Sequence, residues 1–198
     1  MSELYPHPAD SGPAAASKGD AAGETAANLP DAKGKSATAQ AVTINKPVSE
    51  VYGYFRDFAN LPTFMENVVS IDVRDDKLSH WVVKAPAGQT VEWDARVTEE
   101  QVDKSISWTS EPGASVANSG RIEFRDAGAR GTVVSLTILY DPPGGVIGKL
   151  IAKMFQREPN MQARQDLKRF KQLMETGEVT NSASPSGRKS ESPTVQAL

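Results

Sequence analysis

The sequence feature that most constrains the fold is a period-two alternation of apolar and polar residues, repeated in successive short segments. In the clearest segment, residues 90–99, Val91, Trp93, Ala95 and Val97 occupy alternate positions with polar or charged residues between them. Side chains alternate between the two faces of a strand, so this segment has one apolar and one polar face. Turn-forming residues separate the segments, which indicates an antiparallel sheet with one solvated face.

The pattern predicts one strand, then two short helices, then six strands. Ser49 is a candidate helix cap, and Pro62 is expected to divide the helical stretch in two. The predicted helices cover about 48–57 and 60–66, and the predicted strands cover 38–45, 68–75, 79–85, 90–99, 105–110, 119–126 and 132–140.

A helical pattern follows the last strand. From Val146 to Thr176 the apolar residues recur at spacings of three and four, with Pro159 predicted to kink or interrupt the helix near Glu158. Gly177 is well placed to end it. An apolar sheet face has to be covered, and this long helix is the element long enough to cover it.

Composition confines the folded domain to the middle of the chain. Residues 1–37 contain no Val, Ile, Phe or Trp, whereas 38–177 hold all three Trp and all six Phe. Segments so poor in apolar residues cannot offset the entropy of ordering their backbone. We therefore expect disordered tails at 1–37 and 178–198 and one domain over 38–177.

Charge and residue inventory exclude several classes of function. The chain has no Cys and only His7 and His80, which rules out disulfides and multi-histidine metal sites. Residues 38–177 carry 17 basic and 18 acidic residues, so the basic excess needed to bind nucleic acid is missing. With no signal sequence and no membrane-spanning apolar run, we expect a cytoplasmic protein without metal or cofactor.

Five stretches resemble a known superfamily. They read INKPVSEVYGYFRDFANLPTFMENV, VEWDARV, ISWTSEPG, GTVVSLTILYDPPGG and RQDLKRFKQLMETGE. They are similar to the bacterial polyketide cyclase/dehydrase branch of the START-like (SRPBCC) superfamily, which also includes coenzyme-Q-binding START-like proteins. The resemblance implies an α+β helix-grip fold, in which a curved antiparallel sheet wraps a long C-terminal helix. It also implies a cavity between sheet and helix that holds a hydrophobic ligand.

The apolar faces of the strands and of the helix supply the expected walls of such a cavity. Residue types alone also fit a closed core without a cavity. Together with Val97 and Leu150, the expected ligand-binding residues are Trp81, Val83, Trp93, Trp108, Phe124, Leu136, Ile138, Tyr140, Ile147, Ile151, Met154 and Phe155.

Groups able to catalyse a reaction are scarce on the apolar face. Glu92, Asp94 and Arg96 have the opposite parity and are expected to form surface ion pairs, and His80 is expected to point outward. Tyr140 is the one inward group able to orient or donate to a carbonyl. We therefore predict no catalytic residue.

The long helix also has a basic side. The residues on it are Lys149, Lys153, Arg157, Arg164, Lys168, Arg169 and Lys171, with Glu158, Asp166 and Glu175 as opposing charges. A solvated outer face explains this pattern. Transient contact with an anionic membrane surface is the alternative.

Three functions remain open. The first is a non-catalytic carrier of a lipid, a quinone or a polyketide-like compound. The second is a polyketide cyclase or dehydratase that uses the same cavity, and a buried Arg or carboxylate pointing into the cavity would favour it. The third is a structural or regulatory partner with a closed core, which predicts no cavity.

Removal of the tails tests the domain boundaries. Deleting 1–37 or 178–198 is expected to change the melting temperature little, because these segments lack residues that pack. Thermal unfolding of the full and truncated chains measures this directly. A drop above ~4 °C, equivalent to about 1 kcal/mol at this size, would show that a tail packs on the domain.

Overall fold

Seven strands form a single antiparallel sheet in the computed structural model, which describes residues 36–85, 88–141 and 159–179. The sheet order is β1-β7-β6-β5-β4-β3-β2, so consecutive strands pair except where β1 lies beside β7. The strands are β1 Ser36–Ile44, β2 Val68–Val73, β3 Leu78–Lys84, β4 Thr90–Gln101, β5 Ser105–Ser110, β6 Ala117–Asp126 and β7 Thr132–Asp141.

The predicted strands are confirmed, with differences at their ends. β1 begins at Ser36, which pairs with Tyr140 of β7, two residues before the expected domain boundary. β6 begins at Ala117, opposite Asp141 of the same partner strand. Pairing with β7 therefore extends β1 and β6 beyond the segments that alternate in sequence. The alternation within a segment cannot predict this extension, because it depends on the partner strand.

The helical stretch after β1 forms α1, Val48–Arg56, and a 3-10 helix, Phe58–Thr63. The expectation that Ser49 caps α1 is wrong. Pro47 takes the N-cap position, where its carbonyl accepts hydrogen bonds from the N–H groups of residues 50 and 51, and no side chain caps the helix. The 3-10 helix is capped instead by Asp57, whose carboxylate accepts from the Ala59 N–H at 3.3 Å.

The described part of the C-terminal helix is α2, Pro159–Thr176. The expected helical residues 146–158, and with them the kink near Glu158, lie outside the described residues. Proline suits the first turn of a helix because its missing N–H has no partner there. Gly177 ends the helix as expected: its φ is +77°, and its N–H donates to the Leu173 carbonyl at 2.8 Å.

Polar contacts fasten the end of α2 to the end of β1. Glu175 accepts a hydrogen bond from the Asn45 backbone N–H at 2.7 Å. Lys171 donates to the Thr43 carbonyl at 2.7 Å and pairs with Glu175 at 2.6 Å. These contacts fix where the helix crosses the sheet.

An aromatic cluster joins α2 to the two short helices. Phe170 is fully buried and stacks on Phe64 with ring centroids 4.6 Å apart. Phe55 of α1 meets Phe170 edge-on at 5.9 Å and Phe124 of β6 at 6.0 Å. This cluster fills one end of the space between helix and sheet.

Tyr52 and Arg56 tie α1 to the end of β4. Both donate hydrogen bonds to the Glu100 carboxylate, and Arg56 also donates to the Asp76 carbonyl at 2.8 Å. Burial, followed by the hydrogen bond to Glu100, raises the pKa of Tyr52 to about 12. Tyr52 is therefore a neutral donor at physiological pH, and the pair serves to hold α1 in place.

The ring of Trp108, on the neighbouring strand, lies directly over Gly120. A Cβ at residue 120 would meet the Trp108 indole at 2.2 Å. Gly120→Ala is therefore expected to displace this ring and lower the free energy of unfolding by ~1–3 kcal/mol, measured by urea denaturation.

Gly53→Ala is the matched control. A Cβ at residue 53 has no neighbour within 4 Å, and alanine favours a helix over glycine by ~1 kcal/mol. This variant should therefore be as stable as the parent or more stable. A Gly120→Ala variant with unchanged stability and unchanged tryptophan emission would contradict the packing described here.

Candidate ligand cavity

A cavity of about 180 Å³ lies between the concave face of the sheet, the 3-10 helix and the first turns of α2. Along α2, Gln162, Ala163 and Asp166 line it, whereas Phe170 and Met174 pack in the solid core. The helix thus covers a void with its first half and closes a packed core with its second. The closed-core alternative predicts no such void.

All three tryptophans of the chain line this cavity. Trp81 and Trp93 are directly opposed on β3 and β4, with nearly parallel rings 6.4 Å apart. Trp108 lies on β5, opposite Val97 of β4. Each is half-buried, less buried than expected from parity alone, because it faces a cavity rather than packed atoms.

The structure assigns the other expected wall residues to three different places. Val83, Val97, Leu136 and Ile138 line the cavity. Phe124 does not: it is buried in the core against Tyr52, with ring centroids 5.5 Å apart. The expected wall residues whose side chains lie outside the described residues are Tyr140, Ile147, Leu150, Ile151, Met154 and Phe155.

The short helices contribute wall residues that the sequence analysis did not name. They come from α1, from the 3-10 helix, from the turn after it and from the first residue of β2. The set is Phe55, Phe58, Leu61, Met65 and Val68.

Polar groups in the lining are few and mostly engaged with the protein itself. Ser79 accepts a hydrogen bond from the Trp81 indole N–H at 2.9 Å. Asn118 donates to the Val116 carbonyl at 3.0 Å. Thr38 is buried, and its hydroxyl has no hydrogen-bond partner among the described residues. The wall is therefore apolar along most of its surface.

Asp166 is the exception, a carboxyl group only 8% exposed. Its Oδ1 accepts hydrogen bonds from Gln162 Nε2 at 3.0 Å and from the Glu66 backbone N–H at 3.4 Å. Burial raises the pKa of Asp166 to about 6, while these hydrogen bonds and the charge of Arg169 act in the opposite direction. Arg169 itself pairs with the Glu66 carboxylate at 3.0 Å.

The expectation that Asp166 is an opposing charge on the solvated basic side of the helix is wrong, because its side chain is buried. The signal was present in the spacing. Residue 166 lies three after Ala163 and four before Phe170, which puts it on the buried stripe of α2. Its charge, rather than its position, suggested a surface residue.

The charged groups assigned to the outer face of the sheet are exposed or partly exposed there, although residue 96 also borders the cavity. His80 contacts the Asp94 carboxylate at 2.7 Å, and Arg74 pairs with the same carboxylate at 3.2 Å. Arg96 pairs with Glu111. Within the described ranges, no group of three His, Asp or Glu side chains is arranged to hold a metal ion.

The basic side of the C-terminal helix is partly neutralised. Arg169 and Lys171 form ion pairs, while Arg164 and Lys168 are exposed. Lys149, Lys153 and Arg157 fall outside the described residues. In the part of the chain that the structure describes, no helix has both the length and the apolar character needed to cross a bilayer.

Fold and cavity together define the class of protein. A curled antiparallel sheet gripping a C-terminal helix, with an apolar space between them, is the helix-grip α+β architecture. Residues 44–168, more than half of the chain, match the family model described as polyketide cyclase / dehydrase and lipid transport. The chain belongs to this family.

Several known proteins are similar to this chain. An uncharacterized 17.2 kDa protein from the melC2-rnhH intergenic region of Streptomyces lincolnensis is 31% identical over 137 residues, covering 69% of this chain and 87% of that protein. The crystal structure of DR_A0006 from Deinococcus radiodurans is 40% identical, with a TM-score of 0.59, covering 72% of this chain and 99% of that one. The Zhui aromatase/cyclase from Streptomyces sp. R1128 is 13% identical, with a TM-score of 0.57 and coverages of 73% and 99%, so it shows the shared fold.

The environment of Asp166 predicts a pH-dependent stability. Because its folded pKa of about 6 exceeds the ordinary value of 3.8, the folded state holds the proton more tightly than the unfolded chain. The resulting stabilisation is present below pH ~4 and is lost as the pH rises through ~6. Asp166→Asn removes the charge and keeps an oxygen acceptor. Its stability relative to wild type should therefore rise by about 2 kcal/mol between pH 4.5 and 7.5.

Urea denaturation of both proteins at the two pH values measures this difference. Asp72→Asn removes an exposed carboxylate of β2 and serves as the control, with little change expected. A stability difference between Asp166→Asn and wild type that is the same at both pH values would contradict the assignment.

Proposed function

We propose that the protein binds a hydrophobic small molecule in the cavity between the sheet and α2. The observation that carries this proposal is a void of about 180 Å³ walled by apolar side chains that include every tryptophan of the chain. Apolar cavities of about 150 Å³ are large enough to hold a benzene-sized molecule. Ligand sites are typically concave and apolar, with a few placed polar groups.

The family description supports a ligand of lipid or polyketide type, and a quinone fits the same chemistry. The nearly parallel indole rings of Trp81 and Trp93 in the lining suit a ligand with a ring or a planar conjugated chain. The protein would then act as a carrier, taking up and releasing its ligand unchanged. Brief contact with a membrane surface through exposed residues such as Arg164 and Lys168 would allow exchange of a lipid-like ligand.

A cyclase or dehydratase activity is the second candidate, and Asp166 favours it. A carboxyl group with a pKa near 6 can give or take a proton near neutral pH. One observation weighs against an enzyme: no second acid or base lies beside Asp166 among the described lining residues. The other charged lining residue, Arg96, is paired with Glu111. Incubation with a linear poly-β-ketone thioester, followed by mass spectrometry, tests this candidate: loss of water that disappears in Asp166→Asn would favour the enzyme.

Ile138→Trp tests binding in the cavity. Ile138 lies in the cavity wall on β7, so an indole there should occupy the void and abolish binding of N-phenyl-1-naphthylamine, a neutral apolar probe. A void accepts added volume, so the loss of stability should stay below the ~1–3 kcal/mol typical of overpacking. Probe emission and thermal unfolding are measured on the same samples.

Val73→Trp is the matched control, because Val73 is 45% exposed on β2 and outside the cavity lining. It should leave probe binding unchanged. If the wild-type protein does not bind the probe and Ile138→Trp is strongly destabilised, the space behaves as packed core and the carrier function is rejected.

A further inference from the structure

The polar end of the cavity lies at the start of α2. Gln162 and Asp166 are one helical turn apart, both line the cavity, and they are joined by a hydrogen bond of 3.0 Å. The bond uses the amide nitrogen of Gln162 as donor. The carboxylate has no proton to give when ionised, so its oxygens offer hydrogen-bond acceptors to a ligand, as does the amide oxygen of Gln162.

The other polar lining residues cannot play this role equally well. Ser79 and Asn118 are engaged with neighbouring protein groups. Arg96 directs its guanidinium to the Glu111 carboxylate. Among the described residues, the Thr38 hydroxyl has no hydrogen-bond partner, but it carries no charge. The Trp93 indole N–H also lacks a partner there, but it can only donate a hydrogen bond. The groups able to accept a hydrogen bond from a ligand therefore concentrate at Asp166 and Gln162.

The charge of Asp166 has no direct ion pair among the described residues. The nearest cation on its own helix, Arg169, pairs with Glu66 at 3.0 Å, so these two charges largely offset each other. Glu66 approaches Asp166 through its backbone N–H. The local balance is one net negative charge at the cavity wall, on a side chain so little exposed that solvent screens its charge weakly.

We infer that Asp166, with Gln162, selects hydrophobic ligands whose buried end carries a hydrogen-bond donor, a hydroxyl or a protonated amine, and excludes carboxylates. The inference rests on the proposed function, since it assumes that the cavity binds ligands. It narrows the ligand class: alcohols, phenols and amines are accepted, and fatty-acid anions are rejected.

The physical reason is a difference in solvation. A ligand donor that enters an apolar cavity loses its hydrogen bonds to water, and Asp166 or Gln162 replaces one of them. A ligand carboxylate loses its hydration as well but meets a like charge in a medium of low dielectric. The carboxyl pKa of about 6 leaves Asp166 mostly ionised at pH 7.4, where this repulsion acts.

Three probes of one shape test the selection: 4-phenylbutan-1-ol, 4-phenylbutylamine and 4-phenylbutanoate. Each is titrated at pH 7.4 against protein loaded with N-phenyl-1-naphthylamine, and displacement gives its affinity. The alcohol and the amine should bind wild type at least about tenfold more tightly than the carboxylate. In the Asp166→Asn variant, the affinity for the carboxylate should rise about tenfold and the affinity for the amine should fall about tenfold.

Asp72→Asn is the matched control, since it removes a carboxylate that lies outside the cavity lining. It should reproduce the wild-type order of affinities. If the naphthylamine binds but the three probes bind wild type and Asp166→Asn alike, the selection by Asp166 is refuted and the cavity function stands. If neither the naphthylamine nor any probe binds wild type, the proposed function itself fails.

Discussion

The packing of Phe170 against Phe64 and Phe55 is the interaction on which the rest of the structure depends. It joins the second half of α2 to the two short helices and leaves Phe170 without exposed surface. Burial of three such rings is worth several kcal/mol. Because α2 is anchored at this end, its first turns are held over the sheet without having to fill the space beneath them. The cavity exists because the helix is secured elsewhere.

Asp166 shows what this arrangement costs. A carboxylate at the cavity wall loses most of its hydration, and this burial raises the pKa of Asp166 to about 6. Hydrogen bonds from Gln162 and from the Glu66 backbone offset only part of it. A side chain that destabilises the folded state at neutral pH, on a helix whose neighbouring inward positions are apolar, is the residue type expected where a site binds or reacts. This is why both candidate functions involve the same residue.

The outer face of the sheet contributes in a different way. Its ion pairs, such as those of Asp94 with His80 and Arg74, are partly exposed, and pairs of this kind add little stability. Their importance is that they fix the parity of the strands. Charged side chains at alternate positions prevent a one-residue slip, which would bring Asp94 inside and turn Trp93 outward. The tryptophans therefore face the cavity because the alternate positions are charged.

The sequence by itself determined the strands, their order along the chain, their inward and outward faces and the end of the last helix. These features depend on local periodicity and on residues such as Gly177, which ends the helix because glycine readily adopts a positive φ. Tertiary structure decided which inward residues line a void and which fill a core. Phe124 and Trp108 share an apolar face pattern, yet Phe124 is buried beneath α1 and Trp108 borders the cavity. Whether such a residue fills the core or borders the cavity depends on how closely a helix packs over its part of the sheet. No local sequence pattern encodes the distance between helix and sheet. Helical spacing places Asp166 on the buried stripe of α2, but its position at a cavity wall depends on Glu66 and on strand residues that meet the helix only after folding.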